Sequence, residues 1–392
     1  MAQQRSLDFD DLRPSSPFMT PAHAAWRARV RAFVDAQIAP QLAEWDAAGT
    51  FPLELYAQAA DAGLLGMGFP VELGGDGEAD LYRRILLAEE FHRLGSGVVF
   101  AEMATHWVAL PPLLAHGADE LREGVVRPVI AGQRRIAFAI TEPGGGSDLA
   151  ALQTTAERRG DEYLVNGAKT LISGATRADC VLAIARTGAA GGGGLSLLLI
   201  ETSLPGVVVE PVRGLEWYSR GIGSIRFDGV RVPATRLVGA EDRGFALLAG
   251  QLNVERLSGI AAALALARCA LAEAIAYARS RRSRAAPDRP PGDSHRGGST
   301  WIRDVHAAYA LLDALVHRCG AGAAPAAELA MLKMLAAQTL ERCARECLQL
   351  LGGAAYTGRS RAERVHREAR ALAIAGGADE VLRDLVARQY RF

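Results

Sequence analysis

Ile140-Thr141-Glu142-Pro143-Gly144-Gly145-Gly146-Ser147-Asp148 is the stretch on which the fold turns. A strand-like approach, Arg135 to Ile140, runs into a proline, three consecutive glycines and a Ser-Asp pair. Glycines let backbone amides come close to a large flat or anionic ligand, because no Cβ stands in the way. Ser147 and Asp148 add a hydroxyl and a carboxylate at the rim. Such a segment is by itself also an ordinary surface turn, so its neighbours decide.

Before it, from Pro21 to Arg134, the periodicity is helical. Ala22 to Ile38 has apolar residues at helical spacing and stops at Pro40; Pro52 to Ala62, Asp80 to Leu94 and Ala118 to Ala131 read as further helices, with a glycine-rich loop from Gly68 to Gly77. After it the pattern shortens to β-like runs. Ala151 to Arg158 alternates, Glu162 to Asn166 leads into a turn at Gly167, and Cys180 to Arg186 and Leu195 to Glu201 are apolar strands joined by Gly191 to Gly194. Val207 to Val212 and Ser224 to Val232 follow, a spacing that predicts a compact antiparallel barrel or sandwich. From Arg243 onward the chain is helical again, over Phe245 to Arg281, Ile302 to Cys319, Ala326 to Leu351, Arg361 to Ile374 and Asp379 to Tyr390, with a solvated loop predicted over Arg282 to Thr300. The order predicts a mostly α protein with a central β-barrel: an N-terminal helical domain over 1–135, the barrel over 136–240 and a C-terminal four-helix bundle over 241–392. Alternating βα units are missing, which argues against a Rossmann or barrel dehydrogenase.

The 392 residues suffice for two or three domains, and 49% hydrophobic with 22% charged residues is ordinary globular composition. Basic and acidic residues both number 44, so no net field recruits nucleic acid or an anionic membrane. Among the basic residues only Lys169 and Lys333 are lysine. That skew, with heavy alanine use, fits a GC-rich genome better than a binding device. Ile260 to Ala276 is interrupted by Arg268 and Glu273 and reads as a buried helix, not a membrane span. Five scattered cysteines, with no signal pattern over Met1 to Asp10, lead to an expectation of reduced thiols in a cytoplasmic protein. Cys343 and Cys347, one helical turn apart, suit buried packing, and no metal site is expected.

The chain closely resembles the acyl-CoA dehydrogenase family of flavoproteins. The resemblance rests on Ile38-Ala39-Pro40 with Glu44-Trp45-Asp46, Phe51-Pro52, Gly63-Leu64-Leu65-Gly66, Thr141 to Asp148, Asn166-Gly167-Ala168-Lys169, Phe227 to Pro233, Gly244-Phe245, Glu255-Arg256 and Gln349-Leu350-Leu351-Gly352-Gly353. It implies the three-domain fold just read, FAD as cofactor, an acyl thioester on CoA or a carrier protein as substrate, and an electron-transfer flavoprotein or oxygen as acceptor. It also implies a homo-oligomer, tetramer or dimer, with FAD partly at a subunit interface. No nucleic-acid or membrane partner is expected. Position by position, the resemblance puts Thr141 and Ser147 on the flavin ring and pyrophosphate, Ser173 at flavin N5, and Leu171 where a Trp usually stacks. Arg281, Gln349, Gly352 and Gly353 resemble the residues that reach the FAD of a neighbouring subunit.

The family chemistry removes an α-proton with a carboxylate while the β-hydrogen leaves as hydride. Most members hold that Glu on a loop near the C-terminus, where this chain has Gly376. The isovaleryl and long-chain types carry it instead on a bundle helix, directly before an arginine, where this chain has Glu255-Arg256. Glu255 is therefore expected to be the base, Arg256 to orient the loop or tune Glu255, and Asn253, replacing an Asp of relatives, to meet the pantetheine arm. The departures from the common pattern suggest a specialised member acting in secondary metabolism. Two alternatives stand beside it: a flavin-dependent monooxygenase on the same fold, for which no base is needed, and a catalytically silent member that binds a partner.

Overall fold

The computed structural model describes residues 7–212, 221–285, 293–323, 325–357 and 360–391. The chain divides into two units, one made of Met1–Ala39, Asp80–Gly97 and Asn253–Phe392, the other of Pro40–Ala79 and Val98–Leu252. The helices before the sheet are α1 (Pro21–Phe33), α2 (Leu42–Ala48), α3 (Glu54–Asp61), α4 (Leu81–His92), α5 (Val98–Met103), α6 (His106–His116), α7 (Asp119–Leu121) and α8 (Arg127–Ile130). The helix expected over Ala22 to Ile38 is α1 prolonged by a wide turn at Val34–Ile38. The one expected over Ala118 to Ala131 is broken into α7, a wide turn at Arg122–Val126, and α8. Pro128 explains the break: it has no N–H for the Gly124 carbonyl, which accepts from Arg134 Nη1 at 3.2 Å instead. Sequence spacing does not announce α5 or α6. Pro111 and Pro112 lie inside α6, and burial of Ala109, Leu110 and Leu113 outweighs the backbone bonds they forfeit.

One sheet follows, built from β1 (Ile136–Ala139), β2 (Thr155–Arg159), β3 (Glu162–Ile172), β4 (Cys180–Arg186), β5 (Leu195–Glu201), β6 (Val207–Pro211), β7 (Gly223–Pro233) and β8 (Leu237–Val238). Its order is β6-β7-β3-β2-β4-β5-β8, with β1 alongside β4. The expected closed barrel is thereby corrected to an open sheet. Closure requires the outermost strands to pair; β6 and β8 do not, and β8 has only two residues to offer a seam. Nor is the sheet wholly antiparallel, because β1 and β2 run parallel to β4. The turn expected at Gly167 is a bulge inside a continuous β3. Gly167 has φ +140°, and a Cβ there would stand 2.7 Å from Thr154 Cα, so only glycine lets the strand pass. β4 is buried on both faces through Ala185 and β5 through Ile200, which is why both read as unbroken apolar runs. Tyr163, Val165, Val181, Leu198, Ile225 and Phe227 form the core on one side.

The remaining helices are α9 (Gly244–Ala285), α10 (Asp293–Gly320), α11 (Ala326–Leu351), α12 (Gly353–Tyr356), α13 (Arg361–Ile374) and α14 (Asp379–Tyr390). α9 and α10 take up both ends of the loop expected over Arg282 to Thr300; residues 286–292 lie outside the described residues. α11 packs against α10, α13 and α14, and α14 is the helix expected over Asp379 to Tyr390.

From Ile260 to Leu271 every residue of α9 is buried, including Arg268. Its guanidinium donates to Glu89 Oε2 at 3.2 Å, to the Tyr309 hydroxyl at 3.0 Å and to the Phe9 carbonyl at 2.7 Å. Glu89 also accepts from Arg13 Nε at 3.1 Å, and Arg13 bonds Asp313 at 3.0 Å. A buried charge survives only when its hydrogen-bonding capacity is matched this fully. Replacing Arg268 with Met should destabilise the protein by about 3 kcal/mol, because Glu89 keeps its charge and loses one of its two cations. Urea unfolding would read this as a lower midpoint at unchanged slope.

Candidate active site

Thr141 to Asp148 leaves β1 as a tight turn in which Glu142 and Gly145 exchange backbone hydrogen bonds of 2.9 and 3.0 Å. A Cβ on Gly144 or Gly145 would meet nothing within 4 Å, so their backbone faces open space; one on Gly146 would strike Thr141 at 2.9 Å. Asp148 serves the turn itself, accepting from the Ala150 amide at 3.0 Å. Beneath the turn lies a buried ion pair absent from the expected site residues. Glu142 accepts from Lys169 Nζ at 2.8 Å and from the amides of Gln153 and Thr154 at 2.6 and 3.0 Å. Lys169 Nζ also donates to the Ile140 carbonyl at 2.9 Å, and the Thr170 amide to the Thr141 carbonyl at 2.8 Å. The glycine turn is thus bolted to β3 from below. Burial pulls the Lys169 ammonium down to about 8, against the pull of Glu142. Burial alone would raise the Glu142 carboxyl, but the hydrogen bonds from Lys169 and Thr154 outweigh it and hold the carboxyl below its ordinary value.

One residue before the end of the same strand stands Leu171, a non-glycine residue at φ +57° that is 59% exposed. The register shift between Lys169 and Ile172 throws it outward. An apolar side chain held in the left-handed region and shown to solvent is a strained, poorly solvated arrangement of the kind that accumulates at ligand sites. Ser173 follows, half-buried, and Thr141 is half-buried while Ser147 is exposed. None of the three hydroxyls is hydrogen-bonded to another described residue. An exposed apolar wall, free hydroxyls and a side-chain-free glycine rim fit a flat ring with a polar, anionic tail, and Thr141, Ser147, Leu171 and Ser173 are the residues that would hold it.

The expected catalytic residues belong to the other unit. Arg256 Nε donates to the Gly376 carbonyl at 3.3 Å and Nη1 to Asn253 Oδ1 at 3.0 Å, which brings Asn253, Arg256 and Gly376 together. Gly376 has φ +70° and open space where a Cβ would stand. Glu255, next to Arg256 on α9, retains some exposed area, yet burial pushes its carboxyl above the ordinary value, with Arg256 opposing. Arg281, Gln349, Gly352 and Gly353 are not part of that cluster. Arg281 Nη1 donates to the Tyr277 hydroxyl at 3.1 Å. Tyr277 lines an open cleft of about 420 Å³ together with Leu351, Glu273 and Ser360, so the end of α9 and the Gln349–Gly353 segment flank one depression. Lys333, likewise missed, donates from Nζ to the carbonyls of Ala373 and Gly377, both at 2.7 Å. The available signal for both lysines was their rarity.

Models of the acyl-CoA dehydrogenase N-terminal, middle and C-terminal domains match residues 20–133, 137–230 and 242–390. Acyl-CoA dehydrogenase AFT10-1 of Alternaria alternata is 33% identical over 403 residues, covering 95% of this chain and 92% of its own. This chain belongs to the acyl-CoA dehydrogenase family. A 3-(aryl)acrylate reductase of Clostridium sporogenes is 31% identical, covering 94% of this chain and 98% of its own. The crystal structure of a probable acyl-CoA dehydrogenase from Mycobacterium abscessus superposes with a TM-score of 0.91 at 38% identity, covering 95% and 99% of the two chains. The family consists of FAD-dependent oxidoreductases acting on the CH–CH bond of acyl thioesters, and this acyl-CoA dehydrogenase shares that cofactor and chemistry.

Replacing Lys169 with Met should lower stability at pH 7 by about 3 kcal/mol, because Glu142 is left as an uncompensated buried charge. In the wild type the depressed Glu142 pKa contributes stability above the ordinary carboxylate value, and this contribution is lost as pH falls through the native-state value. In the variant, burial without Lys169 raises that pKa, so protonation relieves the defect. The difference in melting temperature between the two proteins should therefore narrow steadily as pH drops below about 5.

Proposed function

We propose that this acyl-CoA dehydrogenase family member uses Glu255 as the base that removes the α-proton of an acyl thioester. The observation that carries this is the contrast between Gly376, which has no side chain to take a proton, and Glu255, a carboxyl pushed up by burial beside an arginine tied to the Gly376 backbone. A raised pKa gives a carboxylate more basicity toward a weakly acidic C–H, provided it is ionised at working pH. Arg256 keeps that ionised form accessible, since its charge opposes the effect of burial. Anchoring the base on α9 and not on a loop changes its tether but not the task, because only the final position of the carboxylate counts. FAD, when bound, supplies the acceptor for the hydride that leaves the β-carbon.

Asn253 suits the pantetheine arm. Its Oδ1 is taken by Arg256, which leaves the side-chain NH2 to donate to an amide carbonyl. Pantetheine is common to CoA and carrier proteins, and either carrier is compatible with such a contact. The aryl-specific name of one relative favours a substituted acyl group and a role in specialised metabolism. A homo-oligomer with the Arg281 and Gln349–Gly353 cleft at its interface, and an electron-transfer flavoprotein as oxidant, complete the proposal.

Anaerobic mixing with panels of acyl-CoA and acyl-carrier-protein thioesters should bleach the flavin of the wild type and, in Glu255→Gln, do so at least about a hundredfold more slowly. The wild-type rate should rise with pH through a value above 4.5, the ordinary glutamate figure, because only the ionised carboxylate accepts the proton. Undiminished bleaching in Glu255→Gln would sink the assignment of the base. Failure of every thioester, with oxygen insertion once a reductase is supplied, would point to a monooxygenase.

A further inference from the structure

We infer that Lys333 is a positioning residue for the dehydrogenation, which holds the backbone of residues 373–377 so that Arg256 and its neighbour Glu255 are set for proton removal. The link to catalysis rests on Glu255 being the base. α13 ends at Ile374 and α14 begins at Asp379, so four residues link the two helices. Gly376 and Gly377 make the link at φ +70° and +111°, a conformation that leaves the carbonyls in and just before it without intrahelical partners. Three of those carbonyls turn to two cations: Ala373 and Gly377 to Lys333 Nζ, Gly376 to Arg256 Nε. A cation at a helix C-terminus also complements the helix dipole.

Packing alone does not call for an ammonium at this position. Leu329, Ala330, Leu332, Ala336 and Ala337 around it on α11 are apolar and buried, and an apolar residue would fill the same space without desolvating a charge. Burial pulls the Lys333 ammonium down, Asp379, Glu341 and Glu380 counter it, and Arg256 adds to it, so the charge is held there at a cost. The choice of lysine carries the same message. All but two of the 44 basic residues are arginine, and both lysines are buried and aimed at backbone carbonyls. A compact ammonium on a flexible stem can meet two convergent carbonyls, whereas a planar guanidinium fans its donors outward.

The test uses the holoenzyme with Lys333→Met. Hydrogen exchange of the backbone amides of residues 375–378 needs no substrate and should accelerate on the order of tenfold. The limiting rate of anaerobic flavin bleaching by a thioester should fall on the order of tenfold to a hundredfold, with FAD content per chain unchanged. Combining Lys333→Met with Arg256→Met should lower the rate by less than the product of the single effects, because both act on one loop. Should Lys333→Met not fold, Lys333→Arg carries the same readouts in the same direction. Unchanged exchange overturns the clamp. Faster exchange with an unchanged bleaching rate overturns the positioning role. Faster exchange with undiminished bleaching in Glu255→Gln leaves the clamp standing and removes only Glu255 as base.

Discussion

A buried ammonium must find an acceptor for its protons, and this chain uses that requirement to fix two glycine-rich loops. Lys169 lies under the glycine turn and joins the Ile140 carbonyl to Glu142. Lys333 lies under the α13–α14 link and joins Ala373 to Gly377. Each loop is rich in glycine and so is conformationally permissive. Left to itself such a segment would sample many states, and a ligand would have to order it. Charge-assisted bonds from below give it one shape in advance, which is what preorganised binding and catalysis require.

The surrounding fold makes these placements possible. β3 carries Lys169 inward and, two residues later, Leu171 outward, because the register shift near its end changes which face each residue meets. In the other unit, Arg268 and Arg13 close a network with Glu89, Asp313 and Tyr309 that ties the chain near Phe9 to α4, α9 and α10. That network holds α9, and α9 carries Glu255 and Arg256. A carboxylate on a helix fixed at several points moves less than one on a loop.

Much of this was legible in the residues. Helical and alternating periodicities placed the long elements, since burial of one face imposes them directly. Glycine and proline patterns marked the turn at Thr141 to Asp148, and the family resemblance marked the loop position at Gly376. The ion pairs were not legible. Glu142 and Lys169 are 27 residues apart and Lys333 and Gly377 are 44 apart, and no local pattern links them. Gly167 misled for a related reason: glycine serves a turn and a bulge equally well, and only the approach of Thr154 decides between them.

The sequence by itself determined the helical, β and helical zones in their order, the family, and with it FAD and acyl-thioester chemistry, because these follow from local periodicity and from motifs whose residues are contiguous. The tertiary structure decided that the sheet stays open, that β3 runs through Gly167, that Asn253, Arg256 and Gly376 meet, and that both lysines serve backbone carbonyls. Each of these depends on which distant groups come within about 3 Å of one another, the range in which a hydrogen bond forms or a side chain is excluded. Spacing along the chain carries no information at that range until the chain has folded.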